Sequence, residues 1–229
     1  MRIHFLQHEV FEEPGYIMEW AREKNYEISF TRFHMHEDLP AQSAYDMLVI
    51  MGGPMSVHDE ESYPWLGREK TFISEAIACE KKIVGVCLGS QLLALVLGAK
   101  VYRNQWKEIG FYDVYHTGAE HSVIEGLPHR FTAFHWHGDT YDLPDQCQLL
   151  YRSKACENQA YIWRNRVLGL QFHLEVTPDL LHLFLDNADA ELQENGPFIQ
   201  SAAEMLQKAS LLRDNNIILG RMLDNFVRL

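Results

Sequence analysis

The stretch Ile83-Val84-Gly85-Val86-Cys87-Leu88-Gly89-Ser90-Gln91-Leu92-Leu93 and its continuation to Ala99 carry no charge. A membrane span needs about 20 apolar residues. This stretch is shorter, and its first half holds Gly85, Gly89, Ser90 and Gln91. It therefore divides into a buried strand, 83–86, and a buried helix with Leu92, Leu93, Val96 and Leu97 on one face. A strand that is apolar all round belongs inside a sheet covered on both faces. The segment 46–51 reads the same way and stops at Gly52-Gly53-Pro54.

The neighbouring segments fit that frame. Residues 2–6 and 27–33 read as strands, and 16–24 and 65–81 as helices. Alternating strands and helices predict an α/β fold, a mostly parallel central sheet with helices on both faces. Beyond residue 100 the character changes. Short strands are expected at 108–116, 130–135, 148–152, 159–164 and 167–173, with helices returning after Pro178. Ile218, Leu219, Met222, Leu223, Phe226 and Val227 mark one face of a final helix that docks on the core. The expected organisation is one domain over 1–229, with 187–229 as a docked helical extension.

Composition narrows the function. At 47% hydrophobic and 23% charged residues, the chain is neither disordered nor a coiled coil. A net charge of −12 disfavours a nucleic-acid binder, whose affinity rests on cationic neutralisation. The four cysteines, Cys79, Cys87, Cys147 and Cys156, form no C-x-x-C pair and are too few for a disulfide framework. The expected location is the reducing cytoplasm, with no membrane and no nucleic-acid partner.

Cys87 stands at a strand-to-helix elbow, flanked two residues away on each side by glycines that permit tight backbone. The helix start favours the thiolate and leaves the Leu88 N–H free to donate to an oxyanion. A nucleophile needs a base, and the base needs an orienter. In Val167-Leu168-Gly169-Leu170-Gln171-Phe172-His173-Leu174-Glu175, His173 and Glu175 share one face of extended chain, so the carboxylate can hold the imidazole. Gly53, after the buried strand 46–51, can supply a second N–H to the oxyanion. The other three cysteines lack such a setting.

Gly52-Gly53-Pro54, Gly85-x-Cys87-x-Gly89-x-Gln91 and His173-x-Glu175 followed by Pro178 together resemble the class I glutamine amidotransferases. His137-Gly138-Asp139, Gly52–Ser56 and Lys107-Glu108-Ile109-Gly110 are most similar to the GMP-synthase-like branch. The likeness covers roughly residues 45–185. Arg2-Ile3-His4-Phe5 and the final helix look like stand-alone members of that branch. The resemblance implies a flavodoxin-like fold and a triad of Cys87, His173 and Glu175. It implies attack on the side-chain amide of glutamine, an oxyanion held by Gly53 and Leu88, and release of ammonia and glutamate. Gly52, Gln91 and a loop of His137, Gly138 and Asp139 would contact the substrate.

No phosphate-binding loop of the G-x-x-x-x-G-K-[ST] type is present, and the chain stops about where a glutaminase domain would. The expected partners are glutamine or a γ-glutamyl compound and a separate ammonia-accepting synthetase. The alternatives are hydrolysis of a γ-glutamyl compound with no acceptor, a non-catalytic subunit of this fold, and an oxidant sensor acting through its thiolate. The histidine pairs His135/His137 and His34/His36 lack an identifiable third ligand, so no metal or cofactor is expected. His8-Glu9 and His58-Asp59-Glu60-Glu61 read as solvent-facing, and Lys81-Lys82 as a solvated helix end.

Overall fold

The computed structural model describes residues 1–187 and 192–229. Nine strands form one sheet: β1 (Arg2–Gln7), β2 (Glu27–Arg32), β3 (Met47–Ile50), β4 (Lys82–Val86), β5 (Val101–His116), β6 (Arg130–Tyr141), β7 (Cys147–Ser153), β8 (Ala160–Trp163) and β9 (Val167–Leu170). Their spatial order is β2-β1-β3-β4-β9-β8-β7-β5-β6. Pairing is parallel from β2 to β9 and antiparallel from β9 to β6.

The described helices are α1 (Tyr16–Glu23), α2 (Trp65–Ala78), α3 (Leu88–Val96), α4 (Pro178–Asp186), α5 (Ala202–Gln207) and α6 (Leu211–Arg228). Side chains alternate across each strand. On one face Ile3, Phe5, Val49 and Val84 pack with Ile17 and Trp20 of α1 and Leu219, Met222 and Phe226 of α6. On the other, Leu6, Leu48, Ile50 and Ile83 pack with Phe72 and Ile73 of α2 and Leu92 and Leu93 of α3. This double cover explains why β3, β4 and β9 are so apolar. A third cluster joins Phe111 and Phe134 of the antiparallel edge to Leu181 and Phe184 of α4 and Met205 of α5. No described helix is long and apolar enough to cross a membrane.

Several boundaries differ from the sequence expectation. β5 and β6 run well past the expected 108–116 and 130–135. Pairing resumes beyond an irregularity between Arg103 and Glu108, where Arg103 faces Asp139 and Val101 faces Tyr141. Gly138, which reads locally as a turn, is thus inside a strand. β9 stops at Leu170, and His173 makes only an isolated bridge to Phe134. His34 and His36 do not share a strand face, because Phe33–Met35 forms one 3-10 turn and His36 has φ 57°.

The helical extension expected over 187–229 includes residues 188–191, which lie outside the described residues. Its last helix, α6, is tied to the core at several points. Asn216 Nδ2 donates to the carbonyls of Leu174 and Val176, on either side of Glu175. Lys82 is not merely solvated: its Nζ donates to the Phe226 carbonyl at 2.9 Å and lies over that ring. A cation there complements the carbonyl-rich helix end. Lys81 likewise donates to the Tyr45 carbonyl. Phe226 is fully buried, so Phe226→Ala will lower stability by about 3–5 kcal/mol, read as an earlier urea midpoint. A midpoint unchanged from wild type would show that the α6 face contributes little.

Candidate active site

Cys87 follows β4 directly and caps α3, with φ 49° and ψ −107°. The left-handed backbone there is strained for a residue with a side chain. Its N–H donates to Leu170 O of β9 at 2.7 Å, which holds the turn at the carboxyl edge of the sheet. The flanking glycines have a steric reason. A Cβ at Gly85 would run into the Gly89 backbone, and one at Gly89 into the Ile50 carbonyl of β3.

His173 is fully buried, and its Nδ1 shares a 2.7 Å hydrogen bond with Glu175 Oε1. Its backbone N–H donates to Phe134 O. Its Nε2 has no hydrogen-bond partner of ordinary geometry among the described residues, and the Cys87 thiol is near enough to help raise the His173 pKa. Burial opposes charge on this imidazole, but Glu175 and Cys87 outweigh it and hold His173 well above the usual histidine range. The Cys87 thiol is raised rather than lowered. Burial dominates, His173 pulls the other way, and Glu12 and Glu175 add to the rise. Thiolate here therefore depends on the His173 cation.

Sequence reasoning missed Gln171, although it sits two residues before His173 and shares the same alternation. Gln171 Nε2 lies 3.6 Å from Cys87 Sγ, and its Oε1 accepts from Gln91 Nε2 at 3.2 Å. Gln91, in the first turn of α3, is buried and also reaches the Asp139 carbonyl.

Cys87, Gly53, Gln91, His137, Gly138 and Asp139 all line one cavity of about 400 Å³, a size suited to a small molecule. Gly53 packs against the Leu88 side chain. Leu88 opens α3, so its N–H has no intrahelical acceptor. Asp139 pairs with Arg103 at 3.3 Å and accepts from Ser56 Oγ. His58 and Asp59 line the mouth, whereas Glu60 is exposed. Another cavity, of about 470 Å³, lies between α6 and the segment around Leu127 and Phe131, and its lining holds no cysteine, serine or histidine.

Two further site residues were not legible in the sequence. His8, expected in solvent, is buried and bonds Gly52 O and Glu69 Oε1. Glu12 is buried in the cavity wall against Gly52, and its Oε2 has no hydrogen-bond partner among the described residues. Burial, opposed by His173, pushes its carboxyl up to about 7.

His137 continues inward. Glu108 of β5 faces it across the hairpin and supplies the third group near His135 and His137 that the sequence had not identified. Glu108 Oε2 is already held by Gln159 Nε2, Ser153 Oγ and His137 Nε2. Burial disfavours the Glu108 charge, but His135, His137 and Ser153 hold it down to about 2, while burial pushes His135 down to about 4. The remaining cysteines carry no comparable machinery. Burial pushes Cys147 up to about 12 and Cys156 up to about 11, and Cys79 is exposed.

The family model described as glutamine amidotransferase class-I matches residues 16–190. The glutamine amidotransferase-like protein YfeJ of Salmonella typhimurium is 36% identical, over 98% of this chain and 96% of its own. A glutamine-hydrolysing GMP synthase subunit from Sulfurisphaera tokodaii is 32% identical, over 58% of this chain and 68% of its own. The crystal structure of a glutamine amidotransferase from Thermotoga maritima superposes with a TM-score of 0.91 at 32% identity, covering 100% of this chain and 99% of that one. The chain belongs to the class I glutamine amidotransferase family, with that family's flavodoxin-like α/β fold.

The buried charges make the fold acid-sensitive. Both folded-state values lie below the unfolded ones, so both groups stabilise the fold at neutral pH. His135 loses its contribution as pH falls from 6.5 towards 4, and Glu108 as it falls from 4.5 towards 2. Glu12, raised in the fold to about 7, has the opposite sign: it adds stability as pH falls from 7 to 4.5 and offsets the His135 loss there, so thermal midpoints measured from pH 8 to 2 will fall mainly below pH 4.5. Glu108→Gln will cost about 3–5 kcal/mol at pH 7 and flatten the profile below pH 4.5. A parallel profile for the variant would refute this account of Glu108.

Proposed function

We propose that the protein is a cysteine-dependent glutaminase of the amidotransferase type, acting on glutamine or a γ-glutamyl amide. The observation that carries this reading is the Glu175–His173 hydrogen bond behind Cys87 at the elbow. In this reading the Cys87 thiolate attacks the amide carbon, and the Gly53 and Leu88 N–H groups receive the oxyanion. His173 gives its proton to the departing nitrogen as the C–N bond breaks, leaving a γ-glutamyl thioester and ammonia. His173 then takes a proton from water, whose oxygen attacks the thioester. The C–S bond breaks, glutamate leaves and the thiolate returns. Glu175 orients the imidazole throughout, Gln91, His137, Gly138 and Asp139 border the substrate in the cavity, and Gly52, which does not line it, contributes through its peptide bond to Gly53.

Similarity to the GMP synthase subunit from Sulfurisphaera tokodaii supports a separate synthetase as the ammonia acceptor. The four free thiols suit a reducing, cytoplasmic setting. Hydrolysis of a γ-glutamyl compound without any acceptor uses the same steps and is separated by substrate choice.

Glutamate release from glutamine and a panel of γ-glutamyl amides tests the reading, with candidate synthetases added and omitted. Cys87→Ala will lower turnover by at least about 10³-fold. A diazo-ketone glutamine analogue will label Cys87 alone among the cysteines. No turnover on any substrate, with no labelling of Cys87, would sink the proposal.

A further inference from the structure

The mechanism above leaves a buried ion pair unused. His8 follows β1, and its Nδ1 lies 2.7 Å from Gly52 O, its Nε2 2.8 Å from Glu69 Oε1 of α2. Both side chains of the pair are completely inaccessible. A carbonyl and a carboxylate can only accept, so both ring nitrogens of His8 carry protons. His8 is therefore an imidazolium, and its ring stacks on Phe33 and Trp65. The raised pKa of His8 agrees: burial opposes its charge, and Glu69 with the Gly52 carbonyl outweighs burial.

The target of this cation matters more than its charge. Gly52 O and the Gly53 N–H belong to one peptide unit, and no cis peptide occurs among the described residues. In a trans peptide these two groups point in opposite directions. His8 holds the carbonyl on its own side, so the N–H is turned to the opposite side of the peptide, and Gly53 lines the cavity it shares with Cys87. A Gly-Gly peptide meets little steric resistance to flipping. The flipped form would aim a carbonyl oxygen where an oxyanion must sit.

We propose that the His8–Glu69 pair is a positioning device for the oxyanion site, holding the Gly52–Gly53 peptide with its N–H towards the substrate carbonyl. The inference rests on the glutaminase reading, and its test is arranged so that the two can fail separately. His8 touches no reacting atom and acts through the peptide. Glu69 fixes the ring and keeps it protonated.

The test compares two reactions of Cys87, each corrected with Cys87→Ala for the other thiols. Acylation by p-nitrophenyl acetate passes through a tetrahedral oxyanion and expels p-nitrophenolate, whereas alkylation by iodoacetamide is a displacement at saturated carbon with no oxyanion. His8→Leu will slow acylation by about 10²–10³-fold, the loss of one oxyanion donor, with alkylation within about threefold of wild type. His8→Asn, which keeps an N–H near the Nδ1 position, will recover at least tenfold of that loss. Glu69→Gln keeps an acceptor for the ring without its charge, and will show an intermediate loss in acylation alone. It reads the same device should either His8 variant fail to fold. Equal slowing of both reactions, or of neither, would overturn the proposal, as would a wild-type protein that is alkylated but never acylated. Wild-type acylation without turnover of any γ-glutamyl amide would instead remove the glutaminase reading and leave the peptide assignment standing.

Discussion

The left-handed backbone at Cys87 is the constraint around which the site is built. A side chain in that conformation costs about 1–3 kcal/mol, and the surroundings hold it from three directions. The Leu170 carbonyl takes its N–H, β4 leads into it from below, and α3 starts at once behind it. Because α3 must lie against β3 and β4 at that point, Gly85 and Gly89 have no room for a Cβ. The same contact brings the end of β9 alongside, so the chain leaving β9 delivers Gln171 and His173 next to the thiol. The placement of Cys87, His173 and Glu175 thus depends on one parallel β4–β9 pairing.

What could be read from the sequence was what is local. The elbow, the His173–Glu175 alternation and the doubly covered strands are short-range patterns, and each has its counterpart in the fold. Gln171 obeyed the same alternation and was readable but passed over. His8 and Glu69 were not readable, because they meet Gly52 and each other across 44 and 61 residues. A histidine beside a glutamate near a strand end looks like surface. Gly138 misled for a different reason: it signals a turn locally, but cross-strand pairing with β5 extends β6 through it. Lys82 looked solvated because nothing nearby in the chain reveals that the last turn of α6 ends over it.

The charges divide in the same way. The net charge of −12 belongs to the whole chain and does not describe the site. There, buried carboxylates are matched to histidines and neutral donors in small groups: Glu175 with His173, Glu69 with His8, and Glu108 with His135, His137, Ser153 and Gln159. Such pairs contribute little net stability but impose orientation, since removing one partner strands the other. Orientation is what acyl chemistry requires, because its donors must already point at the oxygen that becomes charged.

Glu12 is the exception, a cavity-wall carboxyl whose buried oxygen has no hydrogen-bond partner among the described residues, poised at about 7. Burial lets it keep a proton at a pH where an exposed carboxyl has lost it. A cationic group placed beside it would favour the charged carboxylate, so such binding and loss of that proton are thermodynamically linked. The wall of this cavity is thus itself a proton-exchanging surface, and the solution's acidity helps decide what the protein holds.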